Sequence, residues 1–184
     1  MDNTTWKIDP AHTAVEFGVK HMMFTTVRGS FGAFDGEVSL DLENPSNSAV
    51  QVEIDAASIT TGVTDRDEHL RSGDFFDVEN FPRITFRSTR VSGPIVEGES
   101  FEVVGELTIR DVTRDVVLEA TFGGTGTDPW GGTRSGFGAT TKVDRRDFGL
   151  TWNQALETGG VLVGHDIAIT LQVQAVLKEE LAGV

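Results

Sequence analysis

The chain has 184 residues with 15 basic and 29 acidic side chains, a formal charge of −14, a pI near 4.5 and 38% hydrophobic residues, which suits one globular domain spanning 1–184. Zero cysteine excludes a disulfide framework, thiolate chemistry and zinc-ribbon or iron–sulfur sites, and zero tyrosine leaves the interior poor in hydroxyls. The acidic balance, with Arg145-Arg146 the only adjacent basic pair, argues against nucleic acid as a partner, and no apolar run reaches the length needed for stable membrane insertion.

From the N-terminus, Met1-Asp2-Asn3-Thr4-Thr5 lacks the charged-then-apolar pattern of a leader, so a cytoplasmic protein is expected, or a periplasmic or secreted one if a leader has been removed. Period-two alternation then dominates. Val15, Phe17, Val19 and His21 share one face against Glu16 and Lys20; Val38, Leu40 and Leu42 alternate with Ser39 and Asp41, and Val50, Val52 and Ile54 with Gln51, Glu53 and Asp55. The segment from Thr64 to Gly73 breaks this rhythm. A Thr/Asp cap, acids in the first turn and a closing Ser-Gly predict a short helix, followed by Phe75, Phe76 and Phe81 as an apolar hinge.

Further strands are predicted around Ile84 and Phe86, around Phe101, Val103, Leu107 and Ile109, and over Val116, Leu118, Ala120 and Phe122. Gly105 falls on an apolar face, where a missing side chain leaves room inside. A weaker strand covers about 135–143, and a long last one, reaching from about Val161 to Val176, carries Ile167, Ile169, Leu171, Val173 and Ala175 on one face. Eight one-faced strands joined by turn-rich links predict an all-β, antiparallel fold, either a sandwich or a barrel. The absence of long crossovers and the length of the last strand favour an eight-stranded up-and-down barrel with one short helix. Gly18, Gly36, Gly105 and Gly164 are expected at bends or bulges. Such a barrel either fills its interior or holds one small ligand.

Catalytic motifs fail in turn. Asp147-Phe148-Gly149 lacks the glycine-rich loop, strand lysine and catalytic loop of a kinase, the glycines of 123–132 do not form a phosphate-binding loop, and neither G-x-S-x-G nor H-E-x-x-H occurs. No catalytic residue, metal or cofactor is therefore assigned. His21 and His165 lie on the apolar parity of the first and last strands, neighbours in a closed barrel. They can meet a polar ligand head in the lumen, serve as an acid or base, or be hydrogen-bonded within the wall.

Several segments together resemble one family. Trp6-Lys7-Ile8-Asp9-Pro10-Ala11-His12-Thr13, Val27-Arg28-Gly29-Ser30-Phe31, and Ser58-Ile59-Thr60-Thr61-Gly62 running into Arg66-Asp67-Glu68-His69-Leu70-Arg71-Ser72-Gly73-Asp74-Phe75-Phe76-Asp77 carry the likeness, with Arg146-Asp147-Phe148-Gly149 and Val163-Gly164-His165-Asp166-Ile167. They are similar to the YceI family, the lipocalin-like polyisoprenoid-binding proteins, and the resemblance implies a domain core at about 6–177. The resemblance implies an eight-stranded barrel whose apolar tunnel holds a polyisoprenoid, a quinone or a similar fatty amphiphile, and a possible homodimer. On that reading a lipid tail lies along Val15, Phe17, Val19, Phe34, Val38, Val52, Ile54, Phe86, Val103, Leu107, Leu118, Phe137, Ile167 and Ile169, with Leu70, Phe75 and Phe76 as a lid or stopper. Arg66, Arg71 or Arg146 can meet an anionic head at the mouth. The alternative is bracing, with Asp67 and Asp74 holding the helix and Arg146-Asp147 an ion pair beside a turn.

Overall fold

The computed structural model describes residues 3–178. In chain order the strands are β1 (Thr4–Ile8), β2 (Ala14–His21), β3 (Thr25–Phe31), β4 (Phe34–Leu40), β5 (Ala49–Asp55), β6 (Ile59–Thr60), then helix α1 (Thr64–Arg71), β7 (Arg83–Ser92), β8 (Ser100–Ile109), β9 (Val112–Thr127), β10 (Thr133–Asp144) and β11 (Asp166–Leu177). All the ladders between them are antiparallel, and β1 pairs with both β4 and β11, which closes the ring β1-β4-β5-β7-β8-β9-β10-β11. The fold is the expected closed eight-stranded antiparallel barrel.

Three walls are bent. The strand pairs β1/β2, β3/β4 and β5/β6 each continue one wall through a corner, because β11 pairs its second half with β1 and its first half with β2, while β3 and β4 follow β2 and β1. Short 3₁₀ turns make two of the corners. At Pro10–His12 the Asp9 carboxylate accepts from the Ala11 N–H, and at Ala56–Ser58 Asp55 does the same for Ala57.

Gly29 and Gly105 act differently from the bends expected of strand glycines. A Cβ on Gly29 would lie 2.3 Å from Cζ of Phe17, and one on Gly105 would lie 2.4 Å from Cζ of Phe86. Each glycine is thus covered by a phenylalanine ring from the adjacent strand, and Gly105 leaves no vacant room inside. Register shifts fall at Ser88/Arg90, where Ser88 pairs with Gly105, and at Gly136/Phe137; none falls at Gly18 or Gly36, and Gly164 lies before β11, which begins at Asp166 rather than near Val161.

One end of the barrel is packed by Trp6, Leu40, Val91, Ile95, Phe101 and Phe122. At the other end α1 and the 145–165 segment lie across the opening, joined by a ring cluster in which His69 contacts Phe75 at 5.1 Å and Trp152 at 4.6 Å. Two local expectations change. The N-cap of α1 is Val63, which has no side-chain cap bond, and Asp67 turns inward to accept from the Thr61 N–H at 2.8 Å and the Thr61 hydroxyl at 2.6 Å. Leu42 is exposed because β4 ends at Leu40 and the buried Asp41 turns in, taking hydrogen bonds from the Glu43 and Asn44 N–H groups and from Asn47.

Candidate functional site: the barrel lumen

The inward faces enclose two adjoining chambers. The larger, about 200 Å³, lies toward α1, and the smaller, about 110 Å³, toward the packed end. Ile8, Val52, Phe86, Leu118, Leu171 and Val173 line both and form a waist between them. No polar atom presents surface to either chamber. This follows from strand parity, which sends Glu, Asp, Lys and Arg outward on every wall and leaves aliphatic and phenyl groups inside.

Of the residues expected along the tail, Val15, Phe17, Val19, Phe34, Ile54, Leu107, Ile167 and Ile169 line the larger chamber, as do Leu70, Phe75 and Phe76. Val38, Val103 and Phe137 line the smaller, while Val52, Phe86 and Leu118 belong to both. Phe31 stacks between Phe17, at 5.7 Å, and Phe76, at 5.8 Å, tying the wall to the segment after α1. The expected tail path left out Phe31, Ile84, Val116, Phe148, Leu150 and Leu171, which also line the larger chamber, although Ile84, Val116 and Leu171 obey the period-two rule.

His21 and His165 stand outside the lining of both chambers. His21 is at the end of β2, bridged to Val163, and the His165 carbonyl accepts from the Arg145 N–H. Neither Arg66, Arg71 nor Arg146 reaches the lumen, because each is engaged in a local bond. Arg66 donates to the Thr61 hydroxyl and carbonyl, Arg71 to the carbonyls of Ala57 and Ile59, and Arg146 to the Asp144 carboxylate at 2.6 Å rather than to Asp147. The Arg146 side chain and N–H lower the Asp144 pKa to about 2. Asp74 accepts from His69 at 2.8 Å, as the bracing reading expects. Among the described residues no three His, Asp or Glu side chains gather as metal ligands.

The arginine that does border the larger chamber is Arg145, 4% exposed. Its Nε donates to the Gly164 carbonyl at 2.8 Å, Nη1 to those of Leu150 at 2.7 Å and Trp152 at 2.9 Å, and Nη2 to that of Val163 at 3.3 Å. Burial pushes its pKa down, opposed by the field of Asp144. A planar fork of five N–H donors suits this task, since four carbonyls of an irregular segment converge where no strand could satisfy them. Arg145 therefore clasps the 150–164 segment across the barrel end, its aliphatic stem toward the lumen and its charge turned into the backbone.

A closed antiparallel barrel around adjoining chambers with no polar surface defines a hydrophobic-cavity barrel of the lipocalin-like kind. Residues 6–175 match the model of the YceI-like domain, and Protein YceI of Salmonella newport is 42% identical over 148 residues, 79% of this chain and 76% of that protein. The chain belongs to the YceI-like family. The crystal structure of BcnA from Burkholderia cenocepacia superposes with a TM-score of 0.78 at 23% identity, covering 91% of this chain and 98% of that one. A polyisoprenoid binding domain from Saccharophagus degradans, implicated in plant cell wall breakdown, has a TM-score of 0.69 at 14% identity, covering 95% of this chain and 99% of that one.

Proposed function

We propose that this barrel binds and carries, or stores, a long isoprenoid or similar amphiphile, such as a polyprenyl chain or an isoprenoid quinone, and that it does so without catalysis. The observation that carries the reading is the lumen: two adjoining apolar chambers that share six lining residues and present no polar surface. Membership of the YceI-like family and the isoprenoid-binding description of the S. degradans domain support it. An acid–base role for His21 or His165 draws no support from their positions outside the lining.

The energetics favour a chain over a compact ligand. Burying one five-carbon unit returns roughly 3–4 kcal/mol, at about 0.8 kcal/mol per methylene-sized group. Association costs of about 4–15 kcal/mol consume the first few units. Affinity should therefore climb with chain length until the lumen is full. Titrating delipidated protein with prenyl alcohols of increasing length tests this directly. Tightening with each added unit, followed by a plateau, is expected; affinity independent of length, or no binding at any length, refutes the reading.

A further inference from the structure

The turn between β2 and β3 is the most exposed apolar feature near the α1 end of the barrel. Met22 is 40% exposed, Met23 67% and Phe24 81%, three consecutive apolar side chains in water. Met22 and Met23 also hold positive φ angles of 49° and 65°, a left-handed conformation that hairpins ordinarily give to Asn and Gly. The turn is nonetheless well fixed. The Phe24 N–H donates to the His21 carbonyl at 3.0 Å, the Met22 N–H to that of Leu162 at 2.8 Å, and the Met23 sulfur lies over Gly160. The backbone is held so as to present these side chains rather than hide them.

Charge singles out the same place. The chain carries −14 overall, yet residues 17–34 contain no Asp or Glu and include Lys20 and Arg28, both exposed. The tip also adjoins a break in the wall. Beyond β2, β3 pairs only through Ser30 and Phe31, with β6, so residues 25–29 have no second strand partner among the described residues. Directly across from this stretch, Val19 and Phe17 of the lumen lining pair with Val27 and Gly29. Exposed thioethers and a phenyl ring, flanked by cations and set beside a strand edge without a second partner, match the chemistry of an anionic bilayer surface.

We infer that residues 22–24, with Lys20 and Arg28, form a tip that docks the barrel on an anionic lipid surface, so that cargo passes between lumen and bilayer. The cargo half of this inference rests on the lipid-carrier reading; the docking half stands on the tip itself. Docking is transient, since three side chains reach only the interfacial region and the rest of the exterior is acidic.

The test uses flotation with vesicles of phosphatidylcholine alone or with one third phosphatidylglycerol, together with transfer of a fluorescent prenyl probe to those vesicles. The variant Met22→Asn/Met23→Gly/Phe24→Ser removes the apolar tip while installing residues that prefer its left-handed backbone, so the hairpin is retained. Trp130→Ala is the control, since Trp130 is 88% exposed in the β9–β10 turn at the opposite end. The wild-type chain and the Trp130 variant should float with anionic vesicles, less with neutral ones and less at high salt. The tip variant should lose vesicle affinity by about tenfold or more, as expected for three apolar side chains withdrawn from the interface. It should bind the probe in solution as the wild type does, yet transfer it more slowly.

Equal flotation and transfer by the tip variant would overturn the proposal. So would a tip that seats a second copy, seen as a dimer dispersed by the variant with no vesicle binding. Vesicle binding without any uptake of prenyl probe would leave docking intact and remove the cargo reading instead.

Discussion

Replacing Gly105 by alanine sets a methyl group 2.4 Å from Cζ of Phe86 and 2.7 Å from the Arg87 carbonyl oxygen, so both ring and strand must move. The expected cost is about 1–3 kcal/mol, read as a lower denaturation midpoint at unchanged slope. Because Phe86 lines the waist, the displaced ring should also shorten the longest prenyl chain accepted. Arg145→Met withdraws donors from four backbone carbonyls; that of Val163 keeps the Asn153 side-chain amide at 2.7 Å, and each of the others left buried without a partner costs about 1–3 kcal/mol. Loss of amide-exchange protection across residues 150–164 is expected, partly recovered by Arg145→Lys, which keeps the charge but not the fork. Unchanged protection would show that the clasp does not hold the segment. These two residues differ in how legible they were. Gly105 was readable on its face but not the ring that covers it, and Arg145 was overlooked for Arg146 because the pair sits in a 3₁₀ turn, where strand parity assigns no inside or outside.

The strand elements follow from alternation wherever a side chain marks each inward position, as in β2, β5 and β11. β3 escaped that reading because Gly29 occupies an inward position whose volume is supplied by Phe17, so the period is written in two strands at once. The corners at Pro10–His12 and Ala56–Ser58 were likewise hidden, their carboxylate caps resembling ordinary outward-facing acids. Those acids make a prediction at this scale. Arg146 holds Asp144 down to about 2, and the Asp9 carboxyl, lowered chiefly by its hydrogen bond to His12 and further by Arg134, helps tie the first corner to the β9–β10 turn. A carboxyl whose pKa is lower folded than unfolded stabilises the fold above the unfolded value. That contribution is lost as pH falls through the folded one. Thermal stability should accordingly decline on acidification from about pH 4 toward pH 2. The groups are partly exposed, so the decline should be shallow and reduced by salt. Stability that rises over that interval would contradict the assignment.

Across the whole molecule, the charge of −14 and the apolar lumen are two results of one pattern, the alternation that faces ionised groups to water and carbon to the interior. That pattern made the closed barrel and most of the lining readable from the chain. The partition into two chambers was not readable, because it depends on how six side chains from five different strands come together: Ile8, Val52, Phe86, Leu118, Leu171 and Val173. The two chambers lie individually below the roughly 300–1,000 Å³ of a typical ligand pocket. A long chain must therefore thread the waist, and Phe86→Ala should lengthen the preferred ligand by opening it. The central claim, that the lumen is a place for a long hydrocarbon chain, meets its most direct test in native mass spectrometry of the protein purified without detergent. A stoichiometric bound mass that fragments as a prenyl lipid is predicted. Protein that carries no such mass, and gains none on incubation with prenyl lipids, would contradict it.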